Sequence, residues 1–187
     1  GNYIINEQGR QDHVANTMPS PYYRFDGGST DHIRGSDTQF PSGASKRSCS
    51  AWINPVSISE SFGIILSWGI TTSSSGMAWG WDATTAKLTI GKYGANASVS
   101  STSTIPFNQW SHVAFTFDGD ETITYYLNGV ADGTATLAGI NTTLGSFSIG
   151  EAIPTWGSQN FDGQISDVKI FNKALTATEV KELYSGA

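Results

Sequence analysis

The stretch that most constrains this chain is Trp110 to Gly129, which reads as a β-hairpin. Val113, Phe115 and Phe117 alternate with His112, Ala114 and Thr116, the period of two that gives a strand one apolar face. Asp118, Gly119 and Asp120 break the alternation with turn chemistry. Ile123, Tyr125 and Leu127 then alternate with Thr122, Thr124 and Tyr126. Asn128-Gly129 is the dipeptide that best tolerates positive φ twice in succession, as a two-residue hairpin turn requires. Trp110 to Ala135 therefore reads as a three-stranded antiparallel meander.

The rest of the chain repeats this pattern. Strands are expected at Tyr22–Phe25, His32–Arg34, Ser48–Asn54, Phe62–Trp68, Ala86–Tyr93, Ala97–Thr104, Leu144–Gly150 and Phe161–Asn172. Met77, Trp79 and Trp81 alternate with Ala78, Gly80 and Asp82 in a further strand. One helix is expected, at the C-terminal end. Thr176-Ala177-Thr178-Glu179 is a capping box, and Val180, Leu183 and Tyr184 follow at helical spacing. About a dozen strands with frequent turns mean an all-β antiparallel sandwich with one short C-terminal helix. Residues 1–20 are polar and aperiodic and read as an arm or linker, leaving 21–187 as one domain.

Composition narrows the function. Charged residues make up 14% of the chain, and Gly, Ser and Thr fill the gap, as many turns demand. The net charge of −6 disfavours nucleic acid and anionic membranes as partners. No apolar run is long enough to insert in a membrane, and Gly1-Asn2-Tyr3 does not begin a signal peptide. Cys49 has no second cysteine to pair with and reads as a small buried thiol.

Six segments in order carry a resemblance. They are Tyr-Arg-Phe-Asp-Gly (23–27), Ser-Ala-Trp-Ile-Asn-Pro (50–55), Ile-Leu-Ser-Trp-Gly (65–69), the 110–119 strand, Tyr-Leu-Asn-Gly-Val (126–130) and the 161–176 segment. Together they resemble the laminin-G-like, or concanavalin A-like lectin/glucanase, jelly roll. The resemblance implies that fold, and it hosts lectins, adhesion modules and glycosidases alike. It also implies a structural calcium ion, with Asp26 and Asp167 as the acidic ligands and Asp31 and Asp162 as weaker candidates. Glycosidases of this fold carry carboxylates at alternate positions of one strand, so that one acts as nucleophile and one as acid. None of Glu7, Glu60, Glu121, Glu151, Glu179 and Glu182 has such a partner, and Asp118-Gly119-Asp120-Glu121 is turn sequence. No catalytic residues are therefore expected.

Glycan-binding surfaces use exposed aromatic rings, so each tryptophan matters. Trp52, Trp79, Trp81 and Trp110 read as core. Trp68, which ends an apolar strand, and Trp156, in a polar loop, are the candidate ligand platforms, with Tyr93 and Tyr126 secondary. The expected function is a non-catalytic carbohydrate-binding or adhesion module of a larger extracellular or virion-surface protein. Its partners would be a glycan or glycosylated surface and the parent protein's other domains. A structural module of a viral particle or surface protein without glycan binding is the alternative, and a diverged glycoside hydrolase a third.

Overall fold

The structure is a computed structural model that describes residues 21–28, 30–56, 62–72, 74–93, 97–153 and 159–186. The expected N-terminal arm, residues 1–20, lies outside the described residues.

Among the described residues, twelve strands form two antiparallel six-stranded sheets. In chain order they are β1 (Tyr23–Asp26), β2 (Ile33–Gly35), β3 (Arg47–Pro55), β4 (Phe62–Gly69), β5 (Gly76–Asp82), β6 (Lys87–Lys92), β7 (Ala97–Thr104), β8 (Ser111–Phe117), β9 (Thr122–Leu127), β10 (Val130–Thr136), β11 (Ser146–Ile149) and β12 (Asp162–Phe171), followed by helix α1 (Ala177–Ser185). Sheet A runs β1-β12-β3-β8-β9-β10 and sheet B runs β2-β11-β4-β5-β6-β7.

The opening meander is β8-β9-β10, with Leu127 paired to Val130 around the Asn-Gly turn. Asn128 (φ 50°) and Gly129 (φ 76°) both take the left-handed backbone that this dipeptide supports. The preceding turn is closed by the Asp118 carboxylate, which accepts from the amides of Asp120 and Thr122. These bonds favour the ionised form and hold the Asp118 pKa below the ordinary carboxylate value.

Alternation decides the core. Phe115, Phe117, Ile123, Tyr125 and Ile53 from sheet A meet Leu66, Met77, Trp79, Trp81 and Ile90 from sheet B. Trp79 stands edge-on to Phe115 at 5.4 Å, joining the two layers. The buried Cys49 thiol has its pKa pushed up by desolvation, consistent with a packing role. At one margin the sheets are stitched together: Ser103 donates from its amide (3.0 Å) and hydroxyl (2.6 Å) to the Asp132 carboxylate.

The two outer faces differ. α1 covers that of sheet A, burying Val180 and Leu175 against Ala114 and Tyr126. Its capping box is formed as the sequence requires: the Glu179 amide donates to Thr176 Oγ1, and the Thr176 amide to the Glu179 carboxylate. Trp52 and Trp110 are buried, but on this outer face rather than between the sheets. Trp52 stacks on Tyr184 at 5.6 Å and Trp110 lies edge-on to Tyr22 at 5.9 Å.

Candidate functional site

The outer face of sheet B carries small side chains. Register places Ser148, Ser67, Ala78, Gly91 and Ser98 in one row across β11, β4, β5, β6 and β7. A neighbouring row holds Ser146, Gly69 and Gly76, with Tyr93 just past the end of β6. Ile64 lies on this face too, and Ser148, Ser67 and Ala78 are already covered, at 0%, 0% and 5% exposed. The segment after β11 crosses the face: Ala152 packs with Ile64 and Ala78. A Cβ added to Gly76 would lie 3.3 Å from Ile153 Cδ1 and 3.5 Å from Tyr93 Cβ, so both residues close over that glycine. A cavity of about 180 Å³ opens beside it, lined by Gly69, Ile70, Thr71, Gly145, Ser146 and Ile153.

Of the expected aromatic platforms, Tyr93 is half-buried at the rim of this face. Trp156 lies outside the described residues, between the described Ile153 and Gln159. The other two are corrected. Trp68 is 0% exposed, so its ring offers no face to a sugar. The Asp37–Lys46 segment folds over it: Phe40 meets the ring edge-on at 6.0 Å, the indole N–H donates to the Pro41 carbonyl (3.1 Å), and the Arg47 guanidinium lies 5.7 Å from the ring centre. Arg47 is itself buried, donating to the carbonyls of Gly43 and Ser45 and to Thr142 Oγ1. Burial pulls its pKa down to about 10, which leaves it charged at neutral pH. Tyr126 is 5% exposed and lies beneath α1.

Sequence reasoning passed over two buried carboxylates. Asp37 accepts from the amides of Gly69 (3.0 Å) and Gly145 (2.7 Å), pinning the Asp37–Lys46 segment to β4. Glu151 is paired with Arg34, and its other carboxylate oxygen lies 3.1 Å from His32 Nδ1. The available signal for Glu151 was its place between a strand end and Ala152-Ile153, because a charge set among apolar residues needs a partner.

The sequence model of the concanavalin A-like lectin/glucanases superfamily matches residues 26–181. The chain belongs to this superfamily. Its jelly-roll sandwich is shared with solved structures, among them the heptameric SAP-like pentraxin of Limulus polyphemus (21% identity, TM-score 0.63, 87% of this chain and 81% of that one). Domain 4 of AbnA, an extracellular GH43 arabinanase of Geobacillus stearothermophilus solved with arabinotriose, is 25% identical (TM-score 0.65, 86% and 75%). The CBM40 of a Ruminococcus gnavus sialidase, bound to α2,3-sialyllactose, is 12% identical (TM-score 0.63, 75% and 83%). No curated protein matches the chain. These superfamily neighbours are mostly binding domains, and some are parts of glycoside hydrolases.

The superfamily's calcium ligands do not converge as expected. Asp26 opposes Asp162 across β1 and β12, whereas Asp167 lies five positions further along β12, on the order of 16 Å away at about 3.3 Å per residue. Among the described residues no three His, Cys, Asp or Glu side chains group as a metal site. An ion held jointly by Asp26 and Asp167 does not fit this arrangement. Asp26 instead accepts from the Gly28 amide (2.8 Å) and donates its own amide to Asp31. Asp167 sits in an irregularity of the β12–β3 ladder at φ 51°, with its carboxylate 2.7 Å from Lys169 Nζ. Its oddness in the strand pattern is thus a backbone matter: aspartate tolerates left-handed backbone better than most residues. Asp167→Ala is expected to lower stability by about 1 kcal/mol and Asp167→Gly by less, because only alanine is strained there. Both shifts should be the same with and without EDTA in a thermal melt. A chelator effect seen in the wild type and lost in D167A would return Asp167 to a metal-binding role.

Proposed function

We propose that this protein is a non-catalytic carbohydrate-binding module of a larger extracellular or particle-surface protein, and that it takes its glycan on the outer face of sheet B. The observation that carries the reading is the convergence beside Gly76. Tyr93, the cavity of about 180 Å³ and the Ile153 flank of the Trp156 loop all meet there. A saccharide needs an apolar or aromatic wall for its C–H face and polar groups for its hydroxyl edge. This face has Ile70, Ile153 and Tyr93 for the first, and Ser146, Thr71 and loop backbone for the second. The 25%-identical arabinanase domain, solved with arabinotriose, supports the ligand class.

The carboxylates support a binding rather than a hydrolytic role. Both buried carboxylates among the described residues are engaged, Asp37 by backbone amides and Glu151 by Arg34. Glycoside hydrolysis needs a pair of carboxylates facing the scissile bond.

Trp156→Ala is the direct test. Binding to the best ligand from a glycan array, measured by calorimetry, should weaken by at least about tenfold, with the melting temperature unchanged. Equal affinities would remove Trp156 from the site. No binding by the wild type to any neutral or acidic glycan would overturn the functional reading itself.

A further inference from the structure

The described residues on either side of 154–158 meet at a charged neck. Glu151 and Asn160 face each other in an antiparallel bridge, and the Ala152 amide donates to the Gln159 carbonyl. Glu151 is only 5% exposed; one carboxylate oxygen takes the Arg34 guanidinium and the other faces His32 Nδ1 at 3.1 Å. The neck belongs to the outer face of sheet B. Arg34 opposes Ser148, Ser148 opposes Ser67, and the Ser67 hydroxyl donates to the Glu151 carbonyl. Ser146, two residues before Ser148 on the same face, lines the cavity. Two strand residues span about 7 Å, within the reach of an arginine side chain. The Arg34 side chain is 40% exposed, so the guanidinium meets Glu151 and solvent together.

An arginine and a histidine side by side would ordinarily receive a carboxylate, with the guanidinium fork favouring a bidentate grip. Here the chain supplies that carboxylate itself. We propose that Glu151 fills the Arg34–His32 pair and thereby makes the glycan face select neutral saccharides over acidic ones, an inference that rests on the reading of this face as the glycan site. A uronic or sialic acid approaching the neck meets an arginine whose charge the buried Glu151 already neutralises, and can engage it only by breaking an ion pair already made. Discrimination of this kind rests on a cost set against the wrong ligand as much as on contacts to the right one. The remaining polar groups at the neck are uncharged. Ser148 Oγ and Asn160 Oδ1 are buried without a hydrogen-bond partner among the described residues.

Glu151→Gln tests the assignment with little change of shape. Its amide oxygen still accepts from Arg34, while its NH2 can donate to His32 Nδ1. Binding is read on an array of neutral, uronate and sialylated oligosaccharides, then by calorimetry on the best neutral probe and its uronate counterpart. The wild type is expected to bind the neutral probe at least about tenfold more tightly than the acidic one. E151Q should recover about tenfold for the acidic probe and leave the neutral affinity unchanged, and adding Arg34→Gln should abolish the gain. Arg34→Gln alone leaves Glu151 uncompensated and should widen the wild-type preference, a readout available even if E151Q folds poorly. An unchanged ratio in E151Q, or a narrower one in R34Q, overturns the role given to Glu151 while the glycan reading stands. A wild type that binds no glycan overturns both.

Discussion

Trp68→Ala is expected to cost roughly 3–5 kcal/mol of stability, the range for truncating a fully buried aromatic. The cavity would open beneath the Asp37–Lys46 segment, where Phe40 and Pro41, and Arg47 at the start of β3, rest on the indole. Loss of the ring leaves the Pro41 carbonyl without its donor and removes one of the two aromatic faces flanking the buried Arg47 guanidinium; the other is Phe117, at 5.6 Å. Urea unfolding should show the midpoint falling while the denaturant slope stays constant. Glycan affinity of the folded fraction should be unchanged at a temperature well below the new transition. A variant that keeps wild-type stability but loses the glycan would return Trp68 to the ligand site and displace the outer face of sheet B.

The contrast between Trp68 and Trp79 shows where the sequence was legible. Trp79 shares a face with Met77 and Trp81, and period-two alternation correctly puts all three between the sheets. The same local logic placed the strands, the Asn-Gly turn and the capped helix, because each depends on residues within a few positions of one another. The reading of Trp68 as exposed failed for two reasons. The unbroken apolar run of β4 hid its alternation with Leu66, which with its pairing to Met77 turns it toward the core, and a loop some thirty positions earlier, pinned by the buried Asp37 and Arg47, closes over the ring. Tyr126 failed likewise: its alternation marks the outward face of β9, but α1 returns from more than fifty residues away to cover that face. The Asp26–Asp167 pairing failed on register, since adjacency of the first and last strands does not say which residues stand opposite. These same long-range facts define the candidate site. With α1 over sheet A, sheet B keeps the outer face on which loops can gather around small residues.

The helix cover also predicts a pH dependence. His112 is buried under α1, edge-on to Trp52 at 5.4 Å and 5.9 Å from the Tyr184 ring, with no hydrogen-bond partner on Nδ1 among the described residues. Its backbone amide donates to Asn128 Oδ1, so the turn holds the residue in place. Desolvation drives the imidazole pKa down to about 4 from an ordinary 6.5; Asp167 opposes the shift and Lys169 adds to it. The unfolded chain takes up its proton as pH falls through 6.5, whereas the folded protein resists until about 4. Between those limits the unfolded state binds more protons, so stability is full above 6.5 and falls as the solution is acidified. At about 1.4 kcal/mol per pH unit, the loss approaches roughly 3 kcal/mol. Unfolding free energies at pH 7, 5.5 and 4.5 should follow that slope. His112→Phe, which keeps a ring against Trp52 and Tyr184 but cannot titrate, should flatten the curve over this window, before most carboxylates protonate. The difference between the two proteins isolates His112 from the other histidines. Parallel curves would mean that the imidazole is hydrated or paired beneath the helix, and that α1 is not a dry cover.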